Sequence, residues 1–127
     1  TRITRCTKRV TMDSETLSAI KKLAVEVHIT AVEKGWWSES RNFGETIALI
    51  HSELSEAFEE YRKGRPLNVV YTDIDTGRLE GVPIELADVI IRVLDAAAGY
   101  HIDIAHALEQ KIEYNKTRPY RHGGLLA

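Results

Sequence analysis

Four stretches of this chain repeat their apolar residues every three or four positions, a period that suits helices and excludes strands. The first runs from about Ser14 to Lys34, where Leu17, Ile20, Ala24, Val27 and Ala31 share a face. Asp13 stands where an N-cap is needed, and Gly35 can take the positive φ that closes a helix. After the loop from Trp36 to Asn42, the second runs from about Phe43 to Lys63. Its stripe is Phe43, Ile47, Ile50, Leu54, Ala57 and Tyr61, with Gly64 and Pro66 beyond it. Pro83 suits a first turn, so a third helix is expected from about Ile84 to Ala98, with Leu86, Val89, Ile90, Val93 and Ala97 on its apolar face. Asp103 caps a fourth, which continues to about Asn115 through Ala107, Leu108 and Ile112.

Between the second and third helices lies a polar connector, Arg65 to Val82, which is long for a compact bundle. In it, Asn68-Val-Val-Tyr-Thr72 and Arg78-Leu-Glu80 flank Asp73-Ile-Asp-Thr-Gly77. That pattern predicts a short β-hairpin or an ordered loop. With 127 residues, a single domain spanning 1–127 is expected, with residues 1–12 as an arm and 116–127 as an irregular tail. The fold class is all-α, a bundle of four to five helices with a long crossover, completed by a second subunit.

Composition narrows the function. Net charge is −2, so no basic face for a nucleic-acid polymer is expected. No apolar run approaches the ~20 residues of a membrane span. The first ten residues lack the apolar core of a signal peptide. Cys6 is the only cysteine, which rules out an intrachain disulfide and a cysteine zinc cluster. A reducing cytoplasm is the expected compartment.

Two tetrapeptides carry the chemistry: Glu53-Leu-Ser-Glu56 and Glu85-Leu-Ala-Asp88. In each, acids at i and i+3 are neighbours on one helical face. Each pair borders an apolar stripe, with Leu54 and Leu86 expected to point into the core. Packed together, the two helices would set four carboxylates across one gap, and such a gathering of like charge calls for a cation. Hard oxygen ligands suit Mg²⁺, with Mn²⁺ as a substitute, rather than Zn²⁺. Glu60, one turn on, could add a ligand, whereas Glu59 turns towards solvent. Acid pairs on solvated helices are common; the repetition of one pattern on two helices makes the stronger case.

Glu53-x-x-Glu56 followed by Glu85-x-x-Asp88 resembles the metal signature of the MazG-like all-α nucleoside triphosphate pyrophosphohydrolases. The likeness extends from about Leu17 to Gly124, with Glu33-Lys-Gly-Trp-Trp37 before the first pair and Asn115-Lys-Thr-Arg-Pro-Tyr-Arg-His-Gly-Gly124 after the last helix. It implies hydrolysis of a nucleoside triphosphate to monophosphate and pyrophosphate, as in nucleotide-pool housecleaning. It implies that Glu53, Glu56, Glu85 and Asp88 hold Mg²⁺, with Glu53 and Glu56 in catalytic roles. It also implies that His28, Trp37, Asn115, Lys116 and Arg118 contact substrate, and that the chain is a homodimer or homotetramer. Arg92 departs from the pattern, since some relatives carry a tyrosine there, and Leu125 and Leu126 follow the glycines where many carry a lysine.

Two other readings compete. A di-iron carboxylate bundle needs a histidine three residues after a glutamate on each of two helices, and neither acid pair has one. A non-enzymatic helical module that binds a protein partner would show no dependence on metal.

Overall fold

A computed structural model describes residues 12–120. Helix accounts for 66% of them, in four segments: α1 Ser14–Glu33, α2 Phe43–Arg62, α3 Val82–Gly99 and α4 Ile104–Thr117. Between α2 and α3 lies a two-stranded antiparallel hairpin, β1 Tyr71–Thr72 and β2 Leu79–Glu80, with Tyr71 opposite Glu80 and Thr72 opposite Leu79. This is the all-α architecture with an elaborated crossover that the periodicity predicts.

Helix ends fall where local chemistry puts them. Asp13 Oδ1 accepts from the Thr16 amide at 2.7 Å and opens α1. Asn42 caps α2: its Oδ1 accepts from the Glu45 amide at 2.9 Å, and its Nδ2 donates to Glu45 Oε1 at 3.1 Å. Gly35 and Gly64, at φ 84° and 81°, close α1 and α2. Asp103 Oδ1 accepts from the His106 amide at 3.1 Å and opens α4. Helix α4 continues two residues past Asn115, where Thr117 Oγ1 donates to the Tyr114 carbonyl. The irregular segment therefore starts at Arg118; residues 1–11 of the arm and 121–127 of the tail lie outside the described residues.

The chain divides into two compact units. One is Leu23–Ile102, and it contains the second half of α1, then α2, the hairpin and α3. Its framework is α2 against α3, with β2 also packed on α3. The other unit joins the chain up to Lys22 with Asp103 onward, and so contains the first half of α1 and all of α4.

In α1 the inward face is the expected one: Ala24 is buried, and Leu17, Ile20, Val27 and Ala31 are half-buried. Helix α2 differs. Its buried positions are Thr46, Ala57 and Glu60, with Ile50 and Glu53 half-buried, so the face carrying Glu53 is the one turned inward. Leu54 and Leu86, expected in the core, are 50% and 44% exposed. The buried positions of the two helices include small residues, Ala57 on α2 and Ala96 and Ala97 on α3, together with Val82 and Leu94, and small side chains at a helix contact permit closer packing than a leucine stripe.

Candidate active site

A cleft of about 480 Å³ opens within the Leu23–Ile102 unit. One wall is α2, which contributes Glu53 and Glu56; another is α3, which contributes Glu85, Asp88, Arg92 and Asp95. The end of α1 and the turn after it supply Thr30, Lys34 and Trp36, and the hairpin supplies Arg78, Leu79 and Glu80.

Glu53, Glu56 and Glu85 each present a carboxylate oxygen, and the three lie within 4.8 Å of one another. They come from two helices because i, i+3 spacing keeps Glu53 and Glu56 on one face while α3 brings Glu85 against it. Asp88, one turn beyond Glu85, lines the same cleft but is not among these three. The cluster's electrostatics follow from like charge in partial burial. Glu85 is pushed up to about 7, first by burial, then by its hydrogen bond with Glu56, then by the charges of Glu56, Asp88 and Glu53. Asp88 is raised by burial and by Glu53, against the pull of Arg92 and Arg78. A proton on Glu85 thus does part of what a cation would do. Six-coordinate Mg²⁺ holds its oxygens at about 2.1 Å, so opposite ligands stand about 4.2 Å apart. Neighbouring ligands of such an ion stand about 3.0 Å apart, so the three oxygens, which lie within 4.8 Å of one another, would have to draw together to share it.

Two arginines temper this charge. Arg92 Nε donates to Glu53 Oε1 at 2.5 Å, and its guanidinium lies 4.9 Å over the Trp36 ring. Arg78, on the hairpin, acts on Asp88 through space.

Behind the acids lies a second network. Asp95 accepts from His28 Nδ1 at 2.8 Å and from Trp37 Nε1 at 3.0 Å. The Trp37 ring meets His28 and Tyr100 edge-on, at 5.1 and 5.4 Å between centroids. Tyr100 in turn donates its hydroxyl to the Arg41 carbonyl at 3.0 Å and sits 3.0 Å from Thr46 Oγ1. His28 and Trp37 are therefore brought together with Asp95, and it is Trp36 that lines the cleft.

Glu60 is not an added ligand. It is 5% exposed, accepts from the Tyr71 hydroxyl at 2.7 Å and pairs with Lys63 at 3.6 Å, so it anchors the hairpin to α2. Glu59 is exposed and pairs with Arg62, as its outward position predicts. Asn115, Lys116 and Arg118 belong to the other unit. There Lys116 Nζ pairs with Glu113 at 3.1 Å, the Arg118 guanidinium lies 5.9 Å from the Tyr114 ring centre, and the Asn115 carbonyl accepts from the Arg118 amide.

Arg92 and Asp95 fall at i+4 and i+7 from Asp88, on the acid face of α3, so helical spacing alone could have marked them. No such signal existed for Arg78, whose place depends on the hairpin register, or for the exchange of Trp37 for Trp36.

No family model, no curated protein and no solved structure matches this chain.

Proposed function

We propose that the chain is a Mg²⁺-dependent nucleoside triphosphate pyrophosphohydrolase of the MazG-like kind, acting on nucleotides in the cytoplasm. One observation carries the reading: three glutamates from two helices converge within 4.8 Å in a cleft that also presents Arg78 and Arg92. A carboxylate cluster alone would repel a triphosphate; with a divalent cation on the acids and guanidiniums beside them, the cleft suits an anion bound through metal. The family likeness supplies the reaction and rests on the residues of the two acid pairs.

Glu53, Glu56 and Glu85, with Asp88 beside them, would hold the ion. When bound, such an ion neutralises phosphate charge and makes a water acidic enough to ionise near neutral pH. The remaining work falls to the chain. A water adds to the α-phosphorus, the bond to the α–β bridging oxygen breaks, and pyrophosphate leaves. Glu56, more exposed than Glu53 and not ion-paired to Arg92, would take the proton of that water. Arg78 and Arg92 would bind phosphate oxygens as charge builds. Trp36 offers an aromatic face in the cleft, while Asp95 fixes His28 and Trp37 behind it. The parts assigned to Asn115, Lys116 and Arg118 rest on the likeness alone.

The test is pyrophosphate release from canonical and modified nucleoside triphosphates, with and without Mg²⁺, using the parent beside Glu56→Gln and Asp88→Asn. Metal-dependent release, reduced at least about a hundredfold in Glu56→Gln, is expected. Release from no nucleotide would overturn the reading. A helical binding module would then be the better account, since Phe43, Leu54, Phe58 and Tyr61 expose half or more of their surface along α2.

A further inference from the structure

Of the cations that line the cleft, Arg92 sits on a proposed metal ligand. Arg92 Nε donates to Glu53 Oε1 at 2.5 Å, with the two side chains 23% and 13% exposed. Glu53 has a second oxygen, but in such partial burial a guanidinium on one oxygen and a divalent ion on the other repel each other, so the two cations compete for this carboxylate. The Arg92 guanidinium also lies 4.9 Å over Trp36, which lines the same cleft. That contact with the aromatic face exists alongside the Glu53 bond, so a guanidinium released from Glu53 would still have the ring to hold it in the cleft.

We infer that Arg92 is a built-in counter-cation that a divalent metal must displace from Glu53, so that metal loading moves the guanidinium onto the phosphate-binding side of the cleft. This rests on the reading of Glu53, Glu56 and Glu85 as metal ligands, and it deepens that reading by making Arg92 a positioning residue whose location reports the state of the site. Before metal binds, Arg92 compensates Glu53, which would otherwise be a poorly solvated carboxylate among three others. After metal binds, the released positive charge stands where an anionic substrate arrives. Metal binding is then weaker than the acids alone would make it, and it is stronger once a triphosphate is present to accept the displaced guanidinium.

A counter-cation that metal displaces and a purely structural ion pair respond differently to metal. Mn²⁺ is titrated calorimetrically into the parent, Arg92→Gln, Glu56→Gln, Glu53→Gln and the Glu53→Gln/Arg92→Gln double variant. Arg92→Gln is expected to bind Mn²⁺ about tenfold more tightly than the parent, and the gain should vanish in the Glu53→Gln background. Should Arg92→Gln fail to fold, the parent itself carries the test. The Arg92 Nε–H resonance, assigned by its loss in Arg92→Lys, should shift or broaden as Mg²⁺ is added. A parent that binds metal, loses it in Glu56→Gln, but binds no more tightly in Arg92→Gln and keeps its Nε–H signal unchanged overturns the inference and leaves the metal reading intact. Absence of binding in every protein overturns both.

Discussion

Glu85 shows how a single carboxyl group records its neighbours. Its proton is held to about pH 7 in the folded chain, against an ordinary value of 4.5. Between those values the folded form binds more protons than the unfolded form, so stability falls as pH rises. Asp88 is raised and acts in the same direction. Asp13 and Asp73 are lowered by backbone N–H donors and act oppositely, but only below 3.8. In chelator, the melting temperature should therefore decline from about pH 4.5 to 7, and Glu85→Gln should flatten the decline. Divalent metal should reverse it, because the ion takes the place of the proton and binds more tightly as pH rises. A melting temperature that climbs through this window in chelator would contradict the assignment of these charges. Much of this was visible in the residues: two acid pairs at helical spacing predict a charged face, and three of the four acids do converge. The pairing of Arg92 with Glu53 was not visible, because nothing in one helix says which side chain of another it will meet.

Among the elements, the hairpin has the most to lose from small changes. It is held by Tyr71, whose hydroxyl donates to the buried Glu60 and is pushed up to about 12 by that bond. Tyr71→Phe leaves Glu60 Oε2 without this donor and should destabilise the chain by about 1–3 kcal/mol in denaturant unfolding. It should also weaken substrate binding, since the same hairpin carries Arg78 into the cleft. Gly81 joins β2 to α3 at φ 126°, and a Cβ there would run into the Val69 carbonyl oxygen. Gly81→Ala should cost about 3 kcal/mol or more by the same measurement. The hairpin's existence could be read from Asp73-Ile-Asp-Thr-Gly77: Asp73 Oδ1 accepts from the amides of Asp75 and Thr76, and Gly77 takes φ 71°. Its docking could not. Glu60 reads as one more acid in a row, and only the partner Tyr71, eleven residues on, turns it into an anchor.

At the scale of the whole molecule, the buried residues are small: Ala24, Ala57, Ala96, Ala97 and Ala105, with only Val82 and Leu94 larger among the described apolar ones. Yet 43% of the chain is hydrophobic, and on α2 the residues Phe43, Ile47, Leu54, Phe58 and Tyr61 stand 39–61% exposed. The stripe read from periodicity, Phe43, Ile47, Ile50, Leu54, Ala57 and Tyr61, is divided in the structure: Ala57 is buried and Ile50 half-buried, and the other four stand exposed beside Phe58. Helix α2 has two faces that could be buried, and the one with small residues and acids goes to α3. A large apolar stripe left in water is unfavourable for a single chain, and a second copy offering the same stripe is the simplest cover. The protein should therefore sediment as a dimer or larger, with a melting temperature that rises with protein concentration. Leu54→Lys together with Phe58→Lys should yield a monomer whose melting temperature is lower and independent of concentration. On the helix Leu54 and Phe58 lie about 100° and 140° from Glu53 and about 160° from Glu56, outside the face turned to α3, so the paired substitution should leave Mn²⁺ binding to Glu53, Glu56 and Glu85 within about threefold of the parent. Sedimentation as a monomer at all concentrations, with the double variant melting like the parent, would show that the stripe is tolerated in solvent.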